Sequence, residues 1–190
     1  MNTDKDGLGF PLGNTDKNIF RPKGSEYAVV PFASSLDLDN IAFTLEAWYR
    51  PHGLTGDIQA IVDSSTSYSL VMANSRQVSF GIYRGGANSV DSGASNTLSD
   101  DVWYHLTAVY DYADSLMRLY IDADQKATTS LALGGNNMGG NAWAVGAYWI
   151  SAGSKGRYCL GDIDEVRIYN RAMSPAEVTK NYKHGKGKHK

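Results

Sequence analysis

Gly161-Asp162-Ile163-Asp164-Glu165-Val166-Arg167-Ile168-Tyr169-Asn170-Arg171-Ala172-Met173-Ser174 is the stretch on which the fold turns. Residues 163–169 carry the β-branched and aromatic side chains of a strand, and the stretch then passes into a turn. Strict alternation sets Asp162 and Asp164 on one face and Glu165, Arg167 and Tyr169 on the other. Directly afterwards, Ser174-Pro175-Ala176-Glu177 offers an N-cap hydroxyl, a proline at the first helical position and a capping-box glutamate. That helix is expected to reach about Lys183 and stop near Gly185. No other segment has a convincing helical start.

Further upstream the period stays at two. Phe43-Thr44-Leu45-Glu46-Ala47-Trp48-Tyr49-Arg50 puts apolar residues at odd positions, leaving Thr44, Glu46, Trp48 and Arg50 on the other face. Leu70 and Met72, then Val78, Phe80 and Ile82, alternate with polar or small neighbours. Leu106, Ala108 and Tyr110 oppose His105, Thr107 and Val109, and Met117, Leu119 and Ile121 oppose Leu116, Arg118 and Tyr120. Turn-rich segments, read at Arg84–Ser95 and Gly134–Asn141, lie between these runs. Short alternating strands joined by such turns predict an all-β antiparallel β-sandwich with one short C-terminal helix.

The chain has 190 residues, enough for one generous domain. The expected organisation is a polar lead-in at 1–18, the sandwich at 19–184 and a basic tail at 185–190. Lys180, Lys183, Lys186, Lys188 and Lys190 crowd the last eleven residues, and removing them from the net −2 leaves a body at −7. An acidic body disfavours nucleic acid except through that tail, which reads as solvated. No apolar run approaches the roughly 20 residues of a membrane span, and no signal pattern opens the chain. Cys159 has no partner in the chain and reads as a small apolar strand residue. In the lead-in, Asn2, Asp4, Asp6 and Gly7 resemble the start of a calcium loop. The bidentate glutamate such a loop needs at its twelfth position is replaced by Gly13.

Several segments, in order, resemble the laminin-G-like, concanavalin A-type jelly rolls. The 161–174 stretch is similar to that family's closing strand and turn. Gly24-Ser25-Glu26-Tyr27-Ala28-Val29-Val30-Pro31 is similar to its opening strand, and Phe43-Thr44-Leu45-Glu46-Ala47-Trp48 to a strand that follows. Trp103-Tyr104-His105-Leu106 and Leu116-Met117-Arg118-Leu119-Tyr120-Ile121-Asp122 match two more of its segments. The chain departs in having Glu26 for the usual Asp and Ala123 for the Gly after Asp122. The resemblance implies a concanavalin A-like jelly roll, a fold that hosts lectins, carbohydrate-binding modules, adhesive domains, toxins and glycosidases alike. It also implies a structural calcium ion, for which Glu26 and Asp164 are the candidate ligands if the opening and closing strands are neighbours, with Asp37, Asp63 or Asp162 in reach.

Glycosidases of this fold use a strand reading Glu-x-Asp-x-Glu, and this pattern is incomplete here, because Gly161 and Arg167 stand where further acids are needed. No Ser or Cys elbow accompanies the four histidines. The chain therefore reads as no enzyme. Glu46, Arg118, Glu165 and Arg167 suit cross-strand ion pairs. Aromatic residues around the Gly-rich connection at 151–156 suit ligand stacking, and the candidate ligand-binding residues are Trp149, Tyr148, Trp143, Tyr158 and, on its own strand, Trp48.

The expected function is a non-catalytic carbohydrate- or surface-ligand-binding module, calcium-assisted if the metal pair converges. Its partner would be a glycan or glycoprotein surface, and its place extracellular or on a cell or virion surface. The alternative is a structural or adhesive protein that self-associates through sandwich edges or tail, and a divergent glycoside hydrolase is a third reading.

Overall fold

A computed structural model describes residues 8–9, 19–22, 25–64, 67–83, 87–131, 142–151 and 154–190. The strands in chain order are β1 (Leu8–Gly9), β2 (Ala28–Val30), β3 (Phe43–Pro51), β4 (Gln59–Ser64), β5 (Tyr68–Met72), β6 (Val78–Tyr83) and β7 (Ala87–Asp91). They continue as β8 (Tyr104–Asp111), β9 (Leu116–Ile121), β10 (Asp124–Ser130), β11 (Trp143–Val145), β12 (Tyr148–Ser151), β13 (Ser154–Gly156) and β14 (Gly161–Tyr169), before helix α1 (Pro175–Gly185). One sheet has the order β1-β14-β3-β8-β9-β10 and the other β2-β11-β4-β5-β6-β7, while β12 and β13 form a separate hairpin. Every pairing among the described strands is antiparallel. The expected sandwich is present.

Alternation fills the space between the sheets. Phe43, Leu45, Ala47 and Tyr49 of β3 face Leu70, Met72, Phe80 and Ile82, all fully buried in one core. The Phe43 ring meets Tyr68 edge-on at 4.8 Å and Tyr110 at 5.6 Å, a favoured aromatic geometry. Cys159 joins this core, and burial pushes its thiol up to about 12, so it stays a protonated packing residue.

Three readings of the sequence need correction. The turn-rich segment after residue 84 contains β7, whose sequence Ala-Asn-Ser-Val-Asp lacks a strand's usual apolar alternation. In β14 the register slips between Asp164 and Arg167, with Glu165 at φ 48°, which is a β-bulge. Beyond the bulge the phase reverses, so Asp162, Asp164 and Arg167 all lie on the outer face, opposite Arg50, Trp48 and Glu46 of β3. The third correction concerns the tail. Residues 186–190 turn back from α1 onto that same face, leaving His189 only 7% exposed and pairing Lys188 with Glu165. The capping box of α1 forms as expected, with Ser174 and Glu177 bonded reciprocally. Leu8 and Gly9 of the lead-in add a short edge strand against β14, while the loop candidates Asn2, Asp4, Asp6 and Gly7 lie outside the described residues.

Candidate functional site

The outer face of the first sheet presents Thr44, Glu46, Trp48, His105 and Thr107, as alternation predicts, yet all five are buried. Helix α1 and residues 186–190 cover them. Arg167 bridges Glu46 at 2.8 Å and Glu165 at 2.9 Å, and Asn181 of α1 donates to Glu46 at 2.8 Å. His105 Nε2 lies 3.2 Å from Glu46 Oε1, off the line of a hydrogen bond. Burial alone would raise the Glu46 carboxyl. His105, Arg167 and Asn181 together outweigh it and hold the group below the ordinary carboxylate range. The expected pairing of Glu46, Glu165 and Arg167 is present, whereas Arg118 bonds Asp111 at 3.3 Å instead.

Trp48 is therefore not an open ligand platform. Its ring is 2% exposed beneath His189 and Tyr182. Gly185 is where α1 touches it, since a Cβ there would come within 2.7 Å of the indole ring. Trp143 is also interior, at 1% exposed and stacked on Tyr68 with centroids 5.9 Å apart. Its position on β11 points it into the sandwich, because Ala144 takes the outward place.

The proposed metal pair is separated. Glu26 precedes β2 at the margin of the second sheet, while β14 lies in the first between β1 and β3. Asp164 is already engaged, accepting from the Glu165 N–H at 2.7 Å and lying 2.9 Å from His189 Nε2. Among the described residues no group of three acidic, His or Cys side chains is placed to hold a metal. Glu26 and Asp164 do not fit a shared calcium ion.

The outer face of the second sheet is different. Register aligns Val29, Ala144, Asp63, Ser69, Gly81 and Ser89 in a row across six strands. These short side chains leave a low floor. Gly81 keeps the floor low, since a Cβ there would lie 2.8 Å from Ser69 Oγ and push that hydroxyl aside. After β11 the chain turns at Gly146, with φ 83°, and the β12–β13 hairpin lies beside this floor. Two contacts pin it. The Trp149 N–H donates to Asp63 Oδ2 at 2.9 Å, and the Tyr148 and Tyr83 hydroxyls are 3.0 Å apart.

Asp63 is wholly buried, and its Oδ1 has no hydrogen-bond partner. Burial pushes its carboxyl up to about 7, against the pull of the Trp149 N–H. On the other side of the hairpin, Lys155 Nζ sits 3.8 Å from the Trp149 ring centroid and 4.7 Å from that of Tyr27. Tyr27 is 40% exposed and stacks on Tyr158 at 6.1 Å. A cavity of about 300 Å³ opens next to Tyr158, lined by Thr55, Asp57, Arg157, Tyr158, Cys159 and Leu160.

Of the five aromatic candidates, then, Tyr148, Trp149 and Tyr158 gather at the hairpin, and Trp48 and Trp143 do not. Sequence reasoning missed Tyr27, Tyr83 and Lys155 here and considered Asp63 only as a metal ligand. Alternation alone signals Tyr83 and Asp63 as outward-facing. Nothing local links Tyr27 to a hairpin more than a hundred residues later.

No curated protein matches the sequence. Among solved structures, the botulinum neurotoxin serotype D binding domain superposes with a TM-score of 0.68 at 15% identity, over 87% of this chain and 42% of that one. The binding domain of Paraclostridial Mosquitocidal Protein 1 gives 0.67 at 16% identity, over 86% of this chain and again 42% of the other. The Ruminococcus gnavus IT-sialidase CBM40 bound to α2,3 sialyllactose gives 0.65 at 14%, over 76% and 84%. The chain thus spans less than half the length of the two toxin domains, and identities this low show the shared fold alone. The family model for concanavalin A-like lectin/glucanases matches residues 22–179, and with its two stacked antiparallel sheets the chain belongs to the concanavalin A-like lectin/glucanase superfamily.

Proposed function

We propose that the domain is a non-catalytic glycan-binding module whose ligand surface is formed by the β12–β13 hairpin and Tyr27 beside it. The observation that carries this reading is the grouping of Tyr27, Tyr158 and Trp149 around one hairpin, with Tyr27 40% exposed. A flat aromatic ring matches the C–H face of a pyranose, and neighbouring polar groups bond its hydroxyls. The hairpin is fixed to the sheet by Asp63 and Tyr83, so the ring positions are set before a ligand arrives.

The outer-face acids do not suggest a hydrolytic pair. Asp162 pairs with Arg21, Arg50 and His52, and Asp164 with His189, so both carboxylates have their partners within the chain. Solved domains of this fold include binding domains and a carbohydrate-binding module seen with a sialylated sugar, which agrees with a recognition role. The setting is a surface where glycans are displayed. No helix among the described residues is long and apolar enough to cross a membrane.

A glycan array probed with the wild type and with Trp149→Ala tests the reading. Binding to a defined set of glycans, lost in the variant, is expected. Absence of binding by the folded wild type to every glycan would remove it.

A further inference from the structure

Lys155 stands apart from the other cations of the sandwich. Among the described residues before α1, Arg21 and Arg50 pair with Asp162, Arg76 with Asp100, Arg118 with Asp111, Lys126 with Asp124, and Arg157 with Asp57. Arg167 pairs with Glu46, and Arg171 with Glu177. Among these residues, Lys155 alone has no carboxylate within ion-pair distance. The chain has 20 acidic residues against 18 lysines and arginines, so a lysine left without a carboxylate stands out.

Its surroundings hold it in place without neutralising it. The ammonium lies between the faces of Trp149 and Tyr27, at 3.8 and 4.7 Å from their centroids. Ring quadrupoles attract the cation, yet they accept none of its three N–H bonds in the way an anion would. The hairpin register pairs Trp149 with Lys155 directly, and Tyr158 fixes the same backbone by donating its hydroxyl to the Lys155 carbonyl at 3.1 Å. The result is a pre-positioned positive charge beside the exposed Tyr27 ring.

We infer that this site takes an acidic sugar, one bearing a carboxylate or a sulphate, with Lys155 holding the anion and Tyr27 stacking against the ring. The inference rests on the glycan-binding reading above. A single fixed cation suits a ligand with one localised charge, since one ammonium neutralises one anionic group. A charge-assisted bond to the anion contributes about as much as a tenfold change in affinity represents.

The test uses the full chain on a glycan array of matched sets, each presenting one core in neutral, carboxylated and sulphated form. The expected result is about tenfold tighter binding to an acidic member than to its neutral partner. That preference is lost in Lys155→Met, which circular dichroism should show to be folded, and kept in Lys155→Arg. The carboxylated and sulphated arms tell which anion is held. Equal binding of neutral and acidic members, unchanged in Lys155→Met, would overturn the acidic-sugar inference and leave the glycan reading standing. A wild type that binds no member of any set would overturn both.

Discussion

His189 lies flat on Trp48, with ring centroids 4.2 Å apart and planes 9° from parallel. Its other contacts complete a small lock. Nδ1 is 3.0 Å from the Gly185 carbonyl, Nε2 is 2.9 Å from Asp164 Oδ2, and Trp103 meets the ring edge-on at 4.8 Å. A stretch that composition marks as a solvated tail is therefore the cover of the first sheet's outer face. Replacing His189 with Ala uncovers Trp48 and leaves Oδ2 of the buried Asp164 without its partner, while Oδ1 keeps the Glu165 N–H. We expect a loss of about 1–2 kcal/mol, read as a lowered melting temperature, and stronger acrylamide quenching of tryptophan fluorescence. Unchanged quenching would show that the tail does not shield Trp48 in solution.

Asp63 gives a pH dependence of defined sign. Its carboxyl is raised from the model-compound value of 3.8 to about 7 in the fold, so between those values the folded chain keeps a proton that the unfolded chain releases. Stability from this group is present in acid and declines as pH rises from about 4 through about 7, at no more than about 1.4 kcal/mol per pH unit. Asp63→Asn keeps an oxygen for the Trp149 N–H and removes the titration. Denaturant midpoints of wild type and variant across pH 4–8 should show a difference that shifts steadily in the variant's favour as pH rises. Parallel profiles would contradict this assignment of the proton.

The β9–β10 turn bears directly on a departure noted in the sequence. Asp122 and Ala123 are its two central residues, at φ 54° and 69°, as a type I′ hairpin turn demands. Asp tolerates this region, and its Oδ1 also accepts from the His105 N–H at 2.8 Å. Alanine does not share that tolerance, and its Cβ strains against the backbone. Ala123→Gly relieves the strain but loosens the unfolded chain, for a net gain of about 0.5–1 kcal/mol. A raised denaturation midpoint with unchanged slope checks it. A lowered midpoint would mean that the alanine methyl contributes more by packing than it costs in the turn.

How far the sequence was readable depended on whether a position's neighbours were local. Phe43, Leu45, Ala47 and Tyr49 of β3, Val78, Phe80 and Ile82 of β6, Leu106, Ala108 and Tyr110 of β8, and Met117, Leu119 and Ile121 of β9 all lie in the core as alternation requires, because the space between the sheets admits only one phase per strand. The reading of β14 failed at one residue. The bulge at Glu165 has no glycine to announce it, and it is visible only once Arg167 is seen opposite Glu46. Face could be read, but cover could not. Trp48 points outward as predicted and is buried all the same, because α1 and His189 return to it from more than a hundred residues away. The hairpin aromatics Tyr148 and Trp149 were legible as a group from spacing, whereas Tyr27 and Lys155 become partners only through the sheet order β2-β11-β4.

Glu46 is the polar residue that joins three elements of the first sheet's outer face. It is wholly buried, its Oε1 bonds Arg167 and its Oε2 bonds Asn181, so it ties β3, β14 and α1 together. Removing it strands the Arg167 guanidinium, which keeps only Glu165, and leaves Asn181 and His105 facing an empty space. Breaking one partner out of such a pair typically costs about 3 kcal/mol, whereas replacing both partners by well-packed apolar groups is often neutral. We therefore expect Glu46→Ala to destabilise by about 3 kcal/mol and Glu46→Ala combined with Arg167→Met to recover part of that loss. Urea denaturation of the two single variants and the double variant measures it. If the two losses simply add, the carboxylate and the guanidinium do not depend on each other, and α1 is held down by packing on Trp48 and Val109 instead of by charge.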